Sequence, residues 1–297
     1  FQDHQTLQHD LKQLEAWADD WGMTFNAAKC YILSINPSSN FLYQLNNTIL
    51  KHVPQNPYLG ILLSADLKWS AHISNISKKA SSTLGFLRRN LRRCPATCRK
   101  QAYLALVRPL LEYGATVWDP YLQKDVDCLE KIQRTAARFI SGDFKSTTPG
   151  SVARLLQRTG LQPLHQRRQN LRLTMYYRVV EGLVPALPPH QFLNPQKHSR
   201  QIRSTRNQDY ITTNIISGYA RNNTRAYAVP SCRTEQRKNS FFPRTTRDWN
   251  QLDNTIVHAP SLEAFKSSCQ STSIDFLCNA RLRCVNARQL DVAAYYY

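Results

Sequence analysis

Between Asp66 and Glu112 the chain carries no acidic residue, while Lys68, Lys78, Lys79, Arg88, Arg89, Arg92, Arg93, Arg99, Lys100 and Arg108 supply ten positive charges. Such a segment can join a folded core only if its apolar residues fall on one side and its cations on another. They do. Ile73, Ile76, Ala80, Leu84, Leu87 and Leu91 recur at helical spacing, and at 100° per residue Lys78, Lys79, Arg89 and Arg93 point away from them. The pattern predicts a helix from Trp69 to Arg93 that buries one face and offers the other to a polyanion.

The rest of the chain repeats the bias. Over 297 residues the net charge is +19, with 39 Lys and Arg against 20 Asp and Glu. Arg outnumbers Lys, which suits bidentate contact with phosphate oxygens. Residues 1–60 are net −2, so the excess lies downstream, in further runs from Lys131 to Arg178 and from Lys197 to Arg247. Successive runs of one sign repel themselves unless a polyanion neutralises them, and nucleic acid is the first candidate, an anionic membrane the second. No stretch approaches the roughly 18 apolar residues of a membrane span; the best run, Tyr103 to Trp118, is broken by Arg108, Pro109 and Glu112. The first residues are polar and resemble no signal peptide, so the expectation is an intracellular protein, nuclear or cytoplasmic, with no membrane partner. Eight Cys give no disulfide framework, and Cys269, Cys278 and Cys284 with His258 match no zinc-finger spacing.

With 42% hydrophobic residues the chain can build real cores. Leu7, Leu11, Leu14, Ala18 and Trp21 mark one face of a first helix that stops at Gly22. Cys30 to Ile35 reads as a buried strand, Phe41–Leu45 and Thr48–Val53 as a hairpin about Asn46-Asn47, and Tyr58 to Leu63 as a further strand. After the basic helix, Pro95 opens another that kinks near Pro109 and ends at Gly114. More helices follow at about Asp125–Ile140, Ser151–Thr159 and Leu164–Glu181. Pro185, Pro188, Pro189 and Pro195 then break the periodicity, with a weak strand-like run at Tyr210–Ile216. Phe241, Phe242, Trp249, Leu252, Ile256 and Phe265 suggest a small aromatic cluster. The expected class is α+β, mainly α.

Trp17-Ala18-Asp19-Asp20 imitates the box in which polymerases present two metal-binding carboxylates. That box needs a β-hairpin, whereas this pair falls in the last turn of a helix and reads as surface. No phosphate-binding Gly-rich loop, nucleophile elbow or His-Glu-x-x-His occurs.

Three widely spaced motifs nevertheless stand in order: Leu11-x-x-Leu14-x-x-Trp17-x-x-x-Trp21-Gly22-Met23-x-Phe25-Asn26-x-x-Lys29-Cys30, then Tyr58-Leu59-Gly60-Ile61, then Leu67-x-Trp69-x-x-His72-Ile73. Further matches include Thr83 to Arg89, Arg108 to Gly114, Val117-Trp118-Asp119-Pro120-Tyr121, Ser240-Phe241-Phe242-Pro243-Arg244 and Trp249-Asn250-x-Leu252. Together they resemble the end of the reverse transcriptase of non-LTR retrotransposons of the Jockey type, over about residues 5–268.

The resemblance implies a palm remnant at residues 1–66, with a helix and a small antiparallel sheet, and a helical thumb at 67–145. Further helices at 146–185, a loose basic connection at 186–239, a small cluster at 240–268 and an unmatched tail at 269–297 complete the expected order. It implies RNA, RNA–DNA hybrid or target DNA as partners. The catalytic aspartates, the Mg²⁺ they bind and the endonuclease would lie in N-terminal parts preceding this chain, which alone should be inactive and bind no cofactor. Lys29 matches the lysine that protonates departing pyrophosphate, Leu59-Gly60 the turn that grips the primer terminus, and the basic helix the thumb element along the template-primer minor groove. Lys78, Lys79, Arg88, Arg89, Arg92 and Arg93 are its expected contacts. The alternative is a stand-alone basic helical nucleic-acid-binding or adaptor protein without catalysis.

Overall fold

A computed structural model describes residues 2–35, 41–144, 148, 150–196 and 223–271 of the chain. Helix dominates and strands are short, as expected. The chain divides into two compact units, with the boundary between Asn75 and Ile76.

The first unit opens with α1 (Gln2–Asp20), which stops as predicted where Gly22 takes a left-handed φ of 63°. Its inward side is not the apolar stripe. Leu11 and Ala18 turn in, but Leu7, Leu14 and Trp21 are 46%, 47% and 70% exposed. The inward side is set by polar anchors instead. Gln8 exchanges two hydrogen bonds with the Gln44 backbone at 2.9 and 3.0 Å, Glu15 accepts the Asn46 N–H, and His4 meets the Tyr43 hydroxyl. Beneath them lies a thin core of Tyr43, Leu45 and Leu50, flanked by Leu11, Phe25, Ile32 and Phe41.

Short strands follow: β1 (Tyr31–Ile32), β2 (Gln44–Leu45), β3 (Thr48–Ile49), β4 (Lys51–His52), β5 (Gln55–Tyr58) and β6 (Ile61–Ser64). The predicted hairpin forms between β2 and β3, with Asn46 and Asn47 at φ of 48° and 58°, the two left-handed positions a type I′ turn requires. The other strand expectations need correction. Cys30 to Ile35 is not a buried strand: two residues of it pair, parallel to β4, and Tyr31 and Ile35 are about half exposed. One partner strand cannot cover both faces of the pleat. Tyr58 to Leu63 is not continuous either. It folds back at Leu59-Gly60, with φ of 46° and 80°, to pair β5 with β6. The strand portion is therefore separate two-stranded ladders, one of them parallel, where a single antiparallel sheet was expected.

The link to the basic helix is built from the third motif. Asp66 accepts the Ser64 hydroxyl and the Lys68 N–H (3.0 Å), which hold its carboxyl below the ordinary range, while Leu67 takes φ of 55°. His72, buried on α2 (Ser70–Asn90), accepts the Leu62 N–H at Nδ1 (3.2 Å) and so fixes the hairpin against the start of the helix.

The second unit is helical. α3 (Ala96–Leu106) follows Pro95, and the expected kink is a break at Val107, after which α4 (Arg108–Glu112) starts with Pro109 in its first turn. Gly114 leads into α5 (Ala115–Trp118), and α6 (Gln123–Ser141) ends at Gly142. α7 (Ser151–Thr159) and α8 (Leu164–Val180) come next. Tyr103, Leu129, Ala136, Ala137 and Phe139 are essentially inaccessible, and Gln133 ties their layer together by accepting the Tyr103 O–H at 2.9 Å and donating to the Gln162 carbonyl at 2.7 Å. Glu130, on α6, accepts the His165 N–H at 2.8 Å and so satisfies an open amide at the start of α8.

Shorter helices complete the described chain: α9 (Pro189–Phe192), α10 (Glu235–Lys238), α11 (Phe241–Trp249), α12 (Asn254–Val257) and α13 (Leu262–Ser271). The aromatic residues at 240–268 share one core with Leu173, Tyr176, Tyr177 and Val180 of α8. The expected loose connection is anchored where it is described. Asn250 accepts the Tyr227 N–H (3.0 Å) and donates to its carbonyl (2.8 Å), imitating a strand partner, and Trp249 donates to the Arg225 carbonyl. The Tyr210–Ile216 run, Cys278 and Cys284 lie outside the described residues. Burial pushes the Cys269 thiol up to about 12, which suits a core cysteine rather than a ligand.

Candidate nucleic-acid interface

α2 carries the two faces its sequence predicts. Ile73, Ala80, Leu84 and Leu87 are buried, while Lys78, Lys79, Arg88 and Arg89 stand exposed. The helix ends at Asn90 rather than Arg93, and Arg92 and Arg93 continue the exposed charge through the turn before α3. Among the described residues none of these six cations enters an ion pair. Arg88 leans over the Phe144 ring, 5.5 Å from its centroid, so it is tethered while the other five reach into water.

Other basic residues of the three runs are structural. Arg99 donates to the Phe139 carbonyl at 2.7 Å, closing the C-terminal end of α6. Arg167 makes a bidentate pair with Glu112. Sequence reasoning missed the deepest group. Asp119 accepts from Arg168 Nε (2.9 Å), Arg172 Nε (2.8 Å) and Arg244 Nη2 (3.1 Å), and Arg172 also donates to Asp248 (2.8 Å) and Thr245 (3.1 Å). All three guanidiniums are buried. Burial by itself would raise the Asp119 carboxyl, but Arg244, Arg172 and Arg168 outweigh it and hold the group below the usual carboxylate range. Two of the sequence motifs meet here: Asp119 comes from one and Arg244 from the other. Arg244 also donates to the Asp119 carbonyl at 2.7 Å.

Lys29 is exposed at the end of a 3₁₀ turn, Ala27–Lys29. Leu59 and Gly60 form the exposed β5–β6 turn, the close-turning geometry expected of them. These three lie in the first unit and the six cations in the second. Asp19 and Asp20 are exposed in the last turn of α1. Among the described residues no three carboxylate, imidazole or thiol groups converge as metal ligands. No helix among them is long and apolar enough to cross a membrane.

Comparison with known proteins agrees with the motifs. The chain is similar to the RNA-directed DNA polymerase from mobile element jockey of Drosophila melanogaster, 26% identical over 141 residues, and to its counterpart in Drosophila funebris, 23% identical over 141 residues. It is also similar to the probable RNA-directed DNA polymerase from transposon BS of Drosophila melanogaster, 25% identical over 142 residues. Each match covers 46% of this chain, and the chain spans 15–16% of these relatives' length. No protein-family model matches, and no solved structure does. The likeness is to polymerases of non-LTR retrotransposons of the Jockey type.

Proposed function

We propose that this chain is the template-primer-binding part of a non-LTR retrotransposon RNA-directed DNA polymerase, with residues 67–145 serving as thumb and α2 lying along the nucleic-acid backbone. The observation that carries the reading is the exposed charge of Lys78, Lys79, Arg89, Arg92 and Arg93, which enters no ion pair among the described residues, over a buried apolar face. Phosphates are recognised by charge and reach without base identity, which is what a polymerase copying any sequence requires. RNA–DNA hybrid is the expected ligand. The catalytic aspartates and their Mg²⁺ belong to polymerase sequence beyond this chain, so the chain alone extends no primer.

The test is fluorescence anisotropy of a labelled RNA–DNA hybrid at several salt concentrations, with Lys78, Lys79, Arg89 and Arg93 changed together to Ala. Removing one cation from a phosphate takes about one unit off the log–log salt slope, so the variant should flatten it by up to roughly 3–4 and weaken binding by about 10²–10³-fold near 0.1 M salt. Binding untouched by the four changes, or no binding at low salt, would return the chain to the reading of a basic adaptor. Primer extension by the purified chain with Mg²⁺ and four nucleotides would overturn the inactivity.

A further inference from the structure

The charged face of α2 is not uniformly polar. Phe86 projects from it, 55% exposed. Helical phase places it among the cations. Lys79 lies seven residues before it, within about 20° of its direction at 100° per residue, and Arg89 follows three residues on, about one turn away, while Arg92 and Arg93 stand exposed in the turn after the helix. Leu84 and Leu87, by contrast, point toward the core. The residues around the ring are small or hydrophilic: Ser82 and Asn90 are exposed one turn to either side, and Gly85 precedes it. A Cβ on Gly85 would meet nothing nearer than the Arg89 guanidinium at 3.6 Å, an ordinary contact, so packing within the fold places no demand for glycine there. The face thus offers an apolar ring, low side chains beside it, and exposed cations on both sides, Lys79 before it and Arg89 after.

A backbone-only surface has no use for such a ring, because phosphates gain nothing from an exposed phenyl. An aromatic face between cations matches the way unstacked bases are held: the ring takes the base, and the cations take the phosphates flanking it. An intact duplex keeps its bases stacked on one another and gives the ring no partner. We propose that Phe86 is a base-stacking site, which makes this face prefer nucleic acid with an unpaired, unstacked nucleotide, such as a single-stranded template running out of a hybrid. The proposal rests on the nucleic-acid reading above and names the form of the ligand. Charge complementarity commits the occupant: with Lys79 and Arg89 on the ring's own face and more exposed cations along the helix and the turn after it, an anionic polymer with planar bases fits, and an apolar protein surface does not.

The experiment compares Phe86→Ala and Phe86→Trp with the unmodified chain on three labelled probes: a blunt RNA–DNA hybrid, the same hybrid with a 5′ single-stranded RNA overhang, and the single strand alone. Stacking of one base predicts a loss of about 5- to 100-fold for Phe86→Ala on the overhang and single-strand probes. Affinity for the blunt hybrid and the salt slope on every probe should stay as they were, and Phe86→Trp should restore binding. Equal loss on all three probes, no loss on any, or a flattened salt slope would overturn the stacking role. Because Phe86 is exposed, a drop in melting temperature in Phe86→Ala would also count against it, by showing the ring to be packing. The two readings fail separately. If the four-alanine variant flattens the slope while Phe86→Ala changes nothing, the stacking site alone falls; if no probe binds at low salt, the nucleic-acid reading falls with it.

Discussion

α2 and α8 are both basic helices, and their cations meet opposite fates. On α2, Lys78, Lys79 and Arg89 are exposed and enter no ion pair among the described residues; on α8, Arg168 and Arg172 are buried around Asp119. The difference is phase. On α8 the buried positions Leu164, Arg168, Arg172, Tyr176 and Val180 follow one another at steps of four, so the two arginines stand in register with the core residues. On α2 the cations stand out of register with Ile73, Ala80, Leu84 and Leu87. A count of charges along a run therefore overstates the surface offered to a polyanion. Buried guanidiniums are counter-ions to the fold, and only those out of phase with the core are free to find phosphate.

The contrast breaks most sharply at Asp119. Asp119→Asn would leave three buried guanidiniums short of a charge they need, and breaking such a group from one side costs about 3–5 kcal/mol. Denaturant unfolding should show the loss, with the salt dependence of nucleic-acid binding unchanged in whatever remains folded. The reverse pattern belongs to the four-alanine variant of α2, which should lose binding and unfold as the unmodified chain does. The pH dependence has a definite sign. The Asp119 carboxyl titrates lower in the folded chain than in the unfolded one, where about 3.9 is usual, so its contribution is complete above about pH 5 and is lost as pH falls through the depressed native value. The stability gap between the unmodified chain and the Asp119→Asn variant should therefore narrow below about pH 4. A gap that widened in acid would mean the carboxyl is not held ionised.

A smaller effect is expected at Glu130. Its carboxylate, on α6, accepts the His165 N–H and comes within 3.3 Å of the His165 ring, and although burial would raise it, the hydrogen bonds from His165 keep it low. Glu130→Ala removes a helix cap supplied from another helix and should cost about 1–2 kcal/mol in denaturant unfolding. An unchanged stability would show that water caps α8 equally well.

How much of this was legible beforehand follows the same rule of phase. The helices α2, α3 with α4, α6, α7 and α8 could be read because their apolar residues recur at the right period and glycines 114, 142, 160 and 182 follow them with left-handed φ, whereas the four-residue α5 is too short to show a period. The Asn46-Asn47 turn could be read because both residues tolerate that φ. The Leu59-Gly60 turn was named by the resemblance alone; the strand reading of Tyr58 to Leu63 passed over it, because Leu59 adopts a left-handed φ that leucine rarely takes. α1 was read as a helix but with the wrong side inward, because Gln8 and Glu15 hold the β2–β3 hairpin by hydrogen bonds that leave no apolar signature. At the candidate interface the six cations of α2 and the turn after it were legible, and all are exposed. The Asp119 group was not found, although its signal existed: arginines at core positions of a helix need a buried carboxylate, and Asp119 sits beside the buried Trp118.

Gly85 gives the smallest effect and the finest probe of the comparison. Glycine inside a helix is about 1 kcal/mol less favourable than alanine, and here the space for a Cβ is open. Gly85→Ala should therefore raise the stability of the chain by up to that amount, visible as a rise of about 2–4 °C in Tm for a unit of this size. On α8 the same logic fails, since every added or removed atom near Arg168 and Arg172 acts on a filled interior. A fall in Tm on Gly85→Ala would mean that the α2 face is packed against something within the fold. In that case Lys78, Lys79 and Arg89 would owe their unpaired state to a crowded surface, and the distinction between free and structural cations would fail at the helix where it matters for binding.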